Sequence, residues 1–234
     1  MRRTLYSVGD SSSVTGVETL QQAEIIIYRE LISEDAEIRA EYFRLFDGRA
    51  KVFAAAMAQA MVAWDTLDPY TADGNRQYVW ALVHAAITLH ILSLKLLLSG
   101  HIIAAGNMFR QVVESIALAL LCSKKDLDVL QRFVDDQYSS SHAVRDVLRH
   151  WQKLGLIKGA QHPLRDALDH YHKYSHITRL TLAQLIPSSG AGAYVGASFD
   201  PGRIDAYAKE VEGRVSLADA FVSFIAGVKK NLTE

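Results

Sequence analysis

Three of the nine histidines of this chain, His170, His172 and His176, lie within one seven-residue stretch. The periodicity around them predicts a helix over 162–186, and at about 100° per residue Asp169, His172 and His176 would share one face. Two imidazoles at i, i+4 spacing can bind one metal ion, with Asp169 as a third ligand or as the group that orients a ring nitrogen. They can equally form a polar seam between helices. The stretch therefore predicts a polar site, with a metal site as one alternative.

A second polar feature interrupts an apolar stretch. Arg110 and Glu114 have the i, i+4 spacing of an ion pair on one helix face, which Asn107 shares, and Gly106 in the preceding turn would let another element approach closely. Charges on an apolar helix face are costly unless they are paired or used. Either Arg110 holds a phosphate or carboxylate while Glu114 orients it, or the pair only fixes the register between helices.

Arginine and histidine also recur at a ribonuclease-like spacing. Arg145 precedes His150 with four residues between them, and Arg165 precedes His170 and His172 with four and six. In such a site a histidine moves a proton at the ribose 2′-hydroxyl, and an arginine stabilises the charge that develops on phosphorus-bound oxygen. The spacing therefore adds Arg145 and His150 to the candidate ligand-binding residues.

The bulk composition limits the classes of function. The chain has 234 residues, of which 50% are hydrophobic and 22% charged, as in ordinary globular proteins. A formal net charge of −1 argues against a broad DNA-binding surface. The stretch 142–165 is locally basic, which suits a phosphate backbone or simply a solvated helix face.

One cysteine, Cys122, excludes an internal disulfide. We expect a buried thiol and, without a signal-peptide pattern, a cytoplasmic protein.

Apolar periodicity and turn residues predict an all-α fold, an up-and-down bundle of about seven helices. The predicted helices cover 16–32, 35–66, 74–99, 101–122, 124–154, 162–186 and 201–231. A Gly/Ser-rich loop is predicted over Ser188–Asp200, with a short extended piece within Ala193–Phe199. Asp200 and Pro201 have the pattern of an N-cap followed by proline at the first helical position.

Two expectations concern the organisation of the chain. Residues 1–15 are expected to form a flexible N-terminal segment and 16–234 a single domain. The stretch Tyr78–Leu98 has the length of a membrane span, but its histidines and Lys95 favour a core helix and no membrane association. The apolar stretch Tyr78–Cys122 predicts a buried central hairpin, with a dimer interface near it.

Two stretches resemble motifs of the HEPN superfamily, specifically of uncharacterised bacterial helical proteins related to it. Asn107–Ala117 (NMFRQVVESIA) contains an Arg-x-x-x-Glu motif, and Tyr171–His176 (YHKYSH) is similar to a later Tyr-x-x-Leu-Ser-x-x-His-like segment, although here His176 follows Ser175 directly. The likeness covers roughly Leu92–Ile186. It implies a helical bundle, often dimeric, whose better-known relatives are RNA-cleaving toxins or nucleotide-binding modules. By position it points to Arg110, Glu114 and His176, with His172 as a neighbour.

Three functions remain open at this stage. The first is a HEPN-like protein whose pocket binds or cleaves a phosphate-containing ligand, RNA or a nucleotide, through Arg110, Glu114, His172 and His176. Its further ligand-binding candidates are Asn107, Asp169, Arg145 and His150. The second is a non-catalytic dimerisation or interaction module. The third is a metal-dependent bundle enzyme that uses His172 and His176. The sequence identifies no cofactor.

Overall fold

The computed structural model describes residues 13–14, 19–67, 76–159, 162–190 and 192–233, and this part of the chain is an all-α bundle, as predicted. Its α-helices are α1 (Leu20–Ile32), α2 (Ala36–Asp65), α3 (Arg76–Leu98), α4 (Ile102–Cys122), α5 (Val129–Val134), α6 (Ser140–His150), α7 (His162–Tyr171), α8 (Arg179–Gln184) and α9 (Ile204–Thr233). Short 3₁₀ turns cover Lys125–Leu127, His172–Tyr174 and Pro201–Arg203. Two paired strands, β1 (Ser13–Val14) and β2 (Ala193–Tyr194), complete the described elements.

Helix α4 lies at the centre of the bundle because it is apolar on nearly every side. A helix of this kind is stable in water only when neighbours cover it all round. It packs along α3 through a tight turn, in which Gly100 takes a positive φ of 81°. On its other sides it contacts α6, α7 and α9, while α2 and α9 pack on each other. The predicted central hairpin is therefore confirmed.

Helix α3 is long and apolar enough to cross a membrane by length and composition alone, with a mean hydropathy of 1.9. Within the fold, 44% of that window is buried, and side chains such as Val83, Ile87 and Leu94 belong to the core. A core helix of a globular protein meets the same criteria. The predicted packing of this helix in the bundle core is confirmed.

The predicted helix over 124–154 is wrong, because the chain forms two separate helices there. Asp128 and Asp136 adopt the left-handed conformation, with φ of 52° and 55°. Short aspartate side chains tolerate this region better than most residues, although an α-helix cannot continue through it. Helix α5 therefore begins after Asp128, and α6 begins only at Ser140.

The predicted continuous helix over 162–186 is also wrong, and this changes the candidate site. Helix α7 ends at Tyr171, and a 3₁₀ turn follows over His172–Tyr174. Thr178 then caps α8, because its side chain accepts a hydrogen bond from the backbone N–H of Thr181. Asp169, His172 and His176 consequently do not lie on one helix face.

Several local predictions around the last helix hold. The Asp200 side chain accepts a hydrogen bond from the N–H of Gly202, and Pro201 occupies the first position of the 3₁₀ turn that leads into α9. The extended piece predicted within Ala193–Phe199 is present as the two residues of β2. The expected flexible segment 1–15 lies outside the described residues, apart from the two that form β1.

The prediction of a buried cysteine is confirmed. Cys122 is 2% exposed and free, and burial raises the pKa of its thiol to about 12. Because the thiolate is the reactive form, this side chain behaves as a small hydrophobic group at neutral pH.

The close approach of Tyr174 to α4 yields a stability prediction. A Cβ atom at Gly106 would lie 2.4 Å from Cγ of Tyr174, so Gly106→Ala should lower the free energy of unfolding by about 1–3 kcal/mol. The control is Gly48→Ala within α2, where nothing lies within 4 Å, and it should raise stability by about 0.5–1 kcal/mol. Urea unfolding of the two variants checks this, and equal effects would contradict the packing described.

Candidate functional site

Arg110 and Glu114 form the ion pair that their spacing predicts. Arg110 Nε donates to Glu114 Oε1 at 2.9 Å, and the two side chains are 20% and 12% exposed. A second guanidinium nitrogen, Nη1, donates to the hydroxyl of Ser175. Ser140 at the start of α6 donates to the other carboxylate oxygen of Glu114 at 3.4 Å. The pair therefore connects three elements, α4, α6 and the turn that carries Ser175.

The turn that Arg110 contacts carries the two candidate histidines. His172 and His176 are both exposed, and their ring centroids lie 4.5 Å apart in an edge-on arrangement. Ser175, between them in sequence, donates to the carbonyl of His172 at 2.8 Å while it accepts from Arg110. The structure therefore places Arg110 and Glu114 of the first motif beside the turn that carries His172 and His176. The contact runs through Ser175, the residue directly before His176 in sequence.

The remaining predicted ligand-binding residues make no hydrogen bond or ion pair with this group among the described residues. Asn107 lies one turn earlier on α4, where it lines a different cleft. Asp169 is 71% exposed on α7 and lies 3.7 Å from Arg165. Arg145 is 61% exposed on α6 beside Asp146, and His150 is half-buried at the end of that helix.

The structure does not bring together the ligands that the metal-site alternative needs. Within the described residues no group of three or more histidine, cysteine or carboxylate side chains could hold a metal ion. The reason is the break after Tyr171, which leaves His172 and His176 as a pair without Asp169. A pair of exposed imidazoles lacks the three or four protein ligands of a zinc site.

A larger polar cluster, which the sequence analysis missed, lies beside this site in the core. Arg214 of α9 is fully buried. Its guanidinium donates to Ser93 Oγ at 2.8 Å, to the carbonyl of Ala105 at 3.1 Å, and to Glu210 Oε2 at 2.7 Å. It also lies over the ring of Phe109, at 4.8 Å from its centroid. One cation therefore holds α3, α4 and α9 together.

Glu210 balances this cation and reaches the candidate turn. Tyr171 donates to its Oε2 at 2.8 Å and Tyr174 to its Oε1 at 3.4 Å, while His170 lies 3.2 Å from Oε1. Although burial by itself opposes ionisation, the hydrogen bond from His170 and the charge of Arg214 lower the pKa of Glu210 to about 2. The two tyrosines thereby anchor both ends of the 3₁₀ turn.

His90 of α3 completes the cluster. Its Nε2–H donates to the carbonyl of Arg214 at 2.9 Å, and Nδ1 is enclosed without a partner among the described residues. Burial lowers the pKa of His90 to about 3, because the charged imidazole would lose its hydration beside a buried arginine. This histidine is neutral at physiological pH.

The spacing of Glu210 and Arg214 could have identified the cluster, since it repeats the i, i+4 pattern of Arg110 and Glu114. Each pair places opposite charges four residues apart on one helix, among apolar neighbours. The partners on α3 and α4 carry no such sequence signal.

The cluster predicts a dependence of stability on pH. The pKa of His90 in the folded protein is below its usual value of 6.5. The unfolded chain therefore binds a proton at His90 at a higher pH than the folded chain does, and the free energy of unfolding falls as the pH falls from 6.5 towards 3. Glu210 adds a further loss as the pH falls from 4.5 towards 2. Between pH 6.5 and 4.5, the free energy of unfolding should fall less steeply in His90→Gln than in wild type, by up to about 1.4 kcal/mol per pH unit. Urea unfolding at several pH values measures both slopes, and identical slopes would refute the assignment.

Comparison with known proteins adds no family to this picture: no family model matches the chain, and neither a curated protein nor a solved structure does so.

Proposed function

We propose that this protein binds RNA on the face formed by α6, α7 and the turn at 172–176, and that His172, His176 and Arg110 cleave it there. We call this face, within residues 142–179, the histidine-rich face. The proposal joins the HEPN-like motifs of the sequence to a surface whose charge suits a phosphate backbone.

The distribution of charge carries the proposal. Residues 142–179 contain seven lysines and arginines and three aspartates, a net charge of +4, while the whole chain has −1 and the rest therefore −5. Six of the nine histidines lie in the same segment. Arg145, Arg149 and Arg165 are 61–64% exposed on α6 and α7, two helices that contact each other. Exposed cations on two neighbouring helices, in a segment with a net positive charge, favour a polyanion.

The chemistry at the edge of this face suits cleavage next to a 2′-hydroxyl. One imidazole of the His172–His176 pair would accept the 2′-hydroxyl proton while the oxygen attacks phosphorus. The other would protonate the departing 5′-oxygen. The products are a 2′,3′-cyclic phosphate and a free 5′-hydroxyl, so no water or cofactor is consumed in this step.

Arg110 is the group that would stabilise the charge on phosphate. Its Nε is used by Glu114 and its Nη1 by Ser175, whereas Nη2 makes no hydrogen bond among the described residues. Both N–H groups of Nη2 therefore remain for a phosphate oxygen, with the guanidinium already fixed in orientation. A preorganised donor of this kind is worth more than a mobile one, because it needs no reordering in the transition state.

Binding is tested with a fluorescently labelled single-stranded RNA and fluorescence anisotropy. Arg145→Gln/Arg149→Gln should weaken binding at least tenfold and reduce the slope of log K against log salt by about 1.4, as expected for two lost phosphate contacts. The control, Arg44→Gln/Lys51→Gln on α2, removes two exposed cations that are each also paired with a carboxylate. Equal losses in both double variants would contradict a specific face, and a labelled DNA of the same sequence tests the preference for RNA.

Cleavage is tested with the same RNA by mass spectrometry of the products. His172→Gln and His176→Gln should each lower the cleavage rate at least a hundredfold while the affinity for RNA stays within about threefold. Both side chains are exposed, so the variants should keep the wild-type fold. Binding without cleavage in the wild type would remove the catalytic part of the proposal.

Helix α1 favours a second function, self-association, because none of its residues is buried. Leu20, Ile27 and Leu31 share one face and are 83%, 55% and 76% exposed. Ile25, Tyr28 and Ile32, on the adjacent side of the helix, are 44%, 63% and 62% exposed. A second copy of the chain supplies a matching apolar helix.

The self-association proposal is tested by sedimentation equilibrium. Wild type should be a dimer at micromolar concentration, whereas Leu31→Lys should be a monomer because it places a charge in the apolar face. Glu41→Lys, at an exposed position on α2 away from this face, is the control and should remain a dimer. A monomeric wild type would refute the proposal.

A further inference from the structure

A separate cleft of about 350 Å³ opens at the beginning of α4. Ligand pockets in proteins start at about 300 Å³. Its wall is formed by the α3–α4 turn, the first two turns of α4, the end of α8 and the chain just before Asp200. The lining residues are Gly100, His101, Ile102, Ile103, Ala104, Asn107, Gln184, Leu185, Gly196 and Ser198.

The first turn of α4 presents unpaired backbone donors to this cleft. His101 is the N-cap residue, and its side chain makes no capping hydrogen bond. The first helical residue whose N–H is bonded is Ala105, which donates to the carbonyl of His101 at 2.8 Å. The N–H groups of Ile102, Ile103 and Ala104 have no hydrogen-bond partner in the described chain, and all three residues line the cleft. They lie at the positive end of a 21-residue helix.

Ser198 provides an independent sign of a ligand. The residue is only 4% exposed, yet its hydroxyl has no hydrogen-bond partner among the described residues, although its N–H and carbonyl bond to Gly100 and Tyr42. Among the described residues, the fully enclosed side-chain atoms without a partner are nitrogens of Arg49, Arg76 and His90, so the unpaired Ser198 hydroxyl keeps some accessible surface, and Ser198 lines the cleft. Buried hydroxyls are normally paired, so this one is available for a ligand.

Two side-chain amides add to the donors. The carbonyl oxygen of Gln184 accepts from Arg203 at 3.2 Å, which leaves the NH₂ group of Gln184 free to face the cleft. Asn107 is half-buried and makes no hydrogen bond to the described residues. Ile103 and Leu185 contribute apolar surface to the same wall. The cleft thus combines a polar end rich in donors with an apolar side.

Two carboxylates lie beside residues that line the cleft, and each accepts a hydrogen bond from another group. Asp35 Oδ2 lies 2.8 Å from Nε2 of His101, and its Oδ1 accepts from Ser33 at 3.0 Å. Glu30 accepts from the N–H of Ala197 at 3.2 Å, beside Gly196. No carboxylate is among the lining residues, so an acceptor at the α4 N-terminus meets donors and not a wall of like charge.

We propose that this cleft binds a small organic anion, with a carboxylate or phosphate head on the N–H groups of Ile102–Ala104 and the Ser198 hydroxyl, and with a short apolar body against Ile103 and Leu185. Three backbone donors at a helix N-terminus match the oxygens of either head group. The site is distinct from the histidine-rich face and does not depend on the proposed activity there.

The test follows the backbone amide resonances of Ile102, Ile103 and Ala104 in ¹⁵N-labelled full-length protein. The probes are benzoate, phenyl phosphate and the uncharged analogue benzyl alcohol, each titrated into the millimolar range. Benzoate or phenyl phosphate should give saturable shifts of these amides, and benzyl alcohol should give none. A stronger response to one head group identifies which of the two the site prefers.

A matched pair of variants at Ala104 controls for the charge. Ala104 is exposed in the first turn, where a carboxylate favours the helix, so Ala104→Glu should fold normally. Its negative charge should weaken anion binding at least tenfold, whereas the isosteric Ala104→Gln should stay within about threefold of wild type.

Three results would overturn the proposal: no saturable shift with either anion, an equal response to benzyl alcohol, or equal binding by Ala104→Glu and Ala104→Gln. RNA binding measured on the same variants separates the two sites. Because the cleft is distinct, the Ala104 variants should keep the wild-type affinity for RNA whether or not they bind the small anions.

Discussion

The buried guanidinium of Arg214 is the interaction on which the bundle depends. A charge without exposure to water is tolerable only when it is fully paired, and Glu210, Ser93 and the carbonyl of Ala105 provide this pairing from three helices. Each of these hydrogen bonds forms only when the three helices have the separation and register that the other hydrogen bonds also require. The angle and register at which α9 crosses the α3–α4 hairpin are therefore specified by polar contacts, within a core whose apolar packing would tolerate several arrangements.

The same cluster determines where the candidate residues lie. Glu210 accepts from Tyr171 and Tyr174, which flank the two residues His172 and Lys173. The tyrosine rings point into the bundle, Tyr174 against Gly106, so the intervening side chains point to solvent. His172 is thus attached to a rigid base, and His176 follows two residues after Tyr174. A loop held in this way can present catalytic groups precisely without burying them.

The long helices could be read from the sequence, and the short ones could not. The observed bounds of α2, α3, α4 and α9 differ from the predicted bounds by a few residues, because apolar periodicity is a local property of the chain. The division of 162–186 depends instead on Thr178, which caps α8, and on the contact of Tyr174 with α4. The latter contact joins residues far apart in sequence, and no periodicity within 162–186 reports it.

The sequence by itself determined the helical class, the burial of Cys122 and the Arg110–Glu114 pair, since each follows from composition or from spacing within two turns of one helix. Only the tertiary structure decided that Ser175 meets Arg110, that Ser198 approaches the start of α4, and that His90 lies beside Arg214. The physical reason is that helical geometry fixes neighbours at i+3 and i+4, whereas neighbours on different helices are fixed by how the whole core packs.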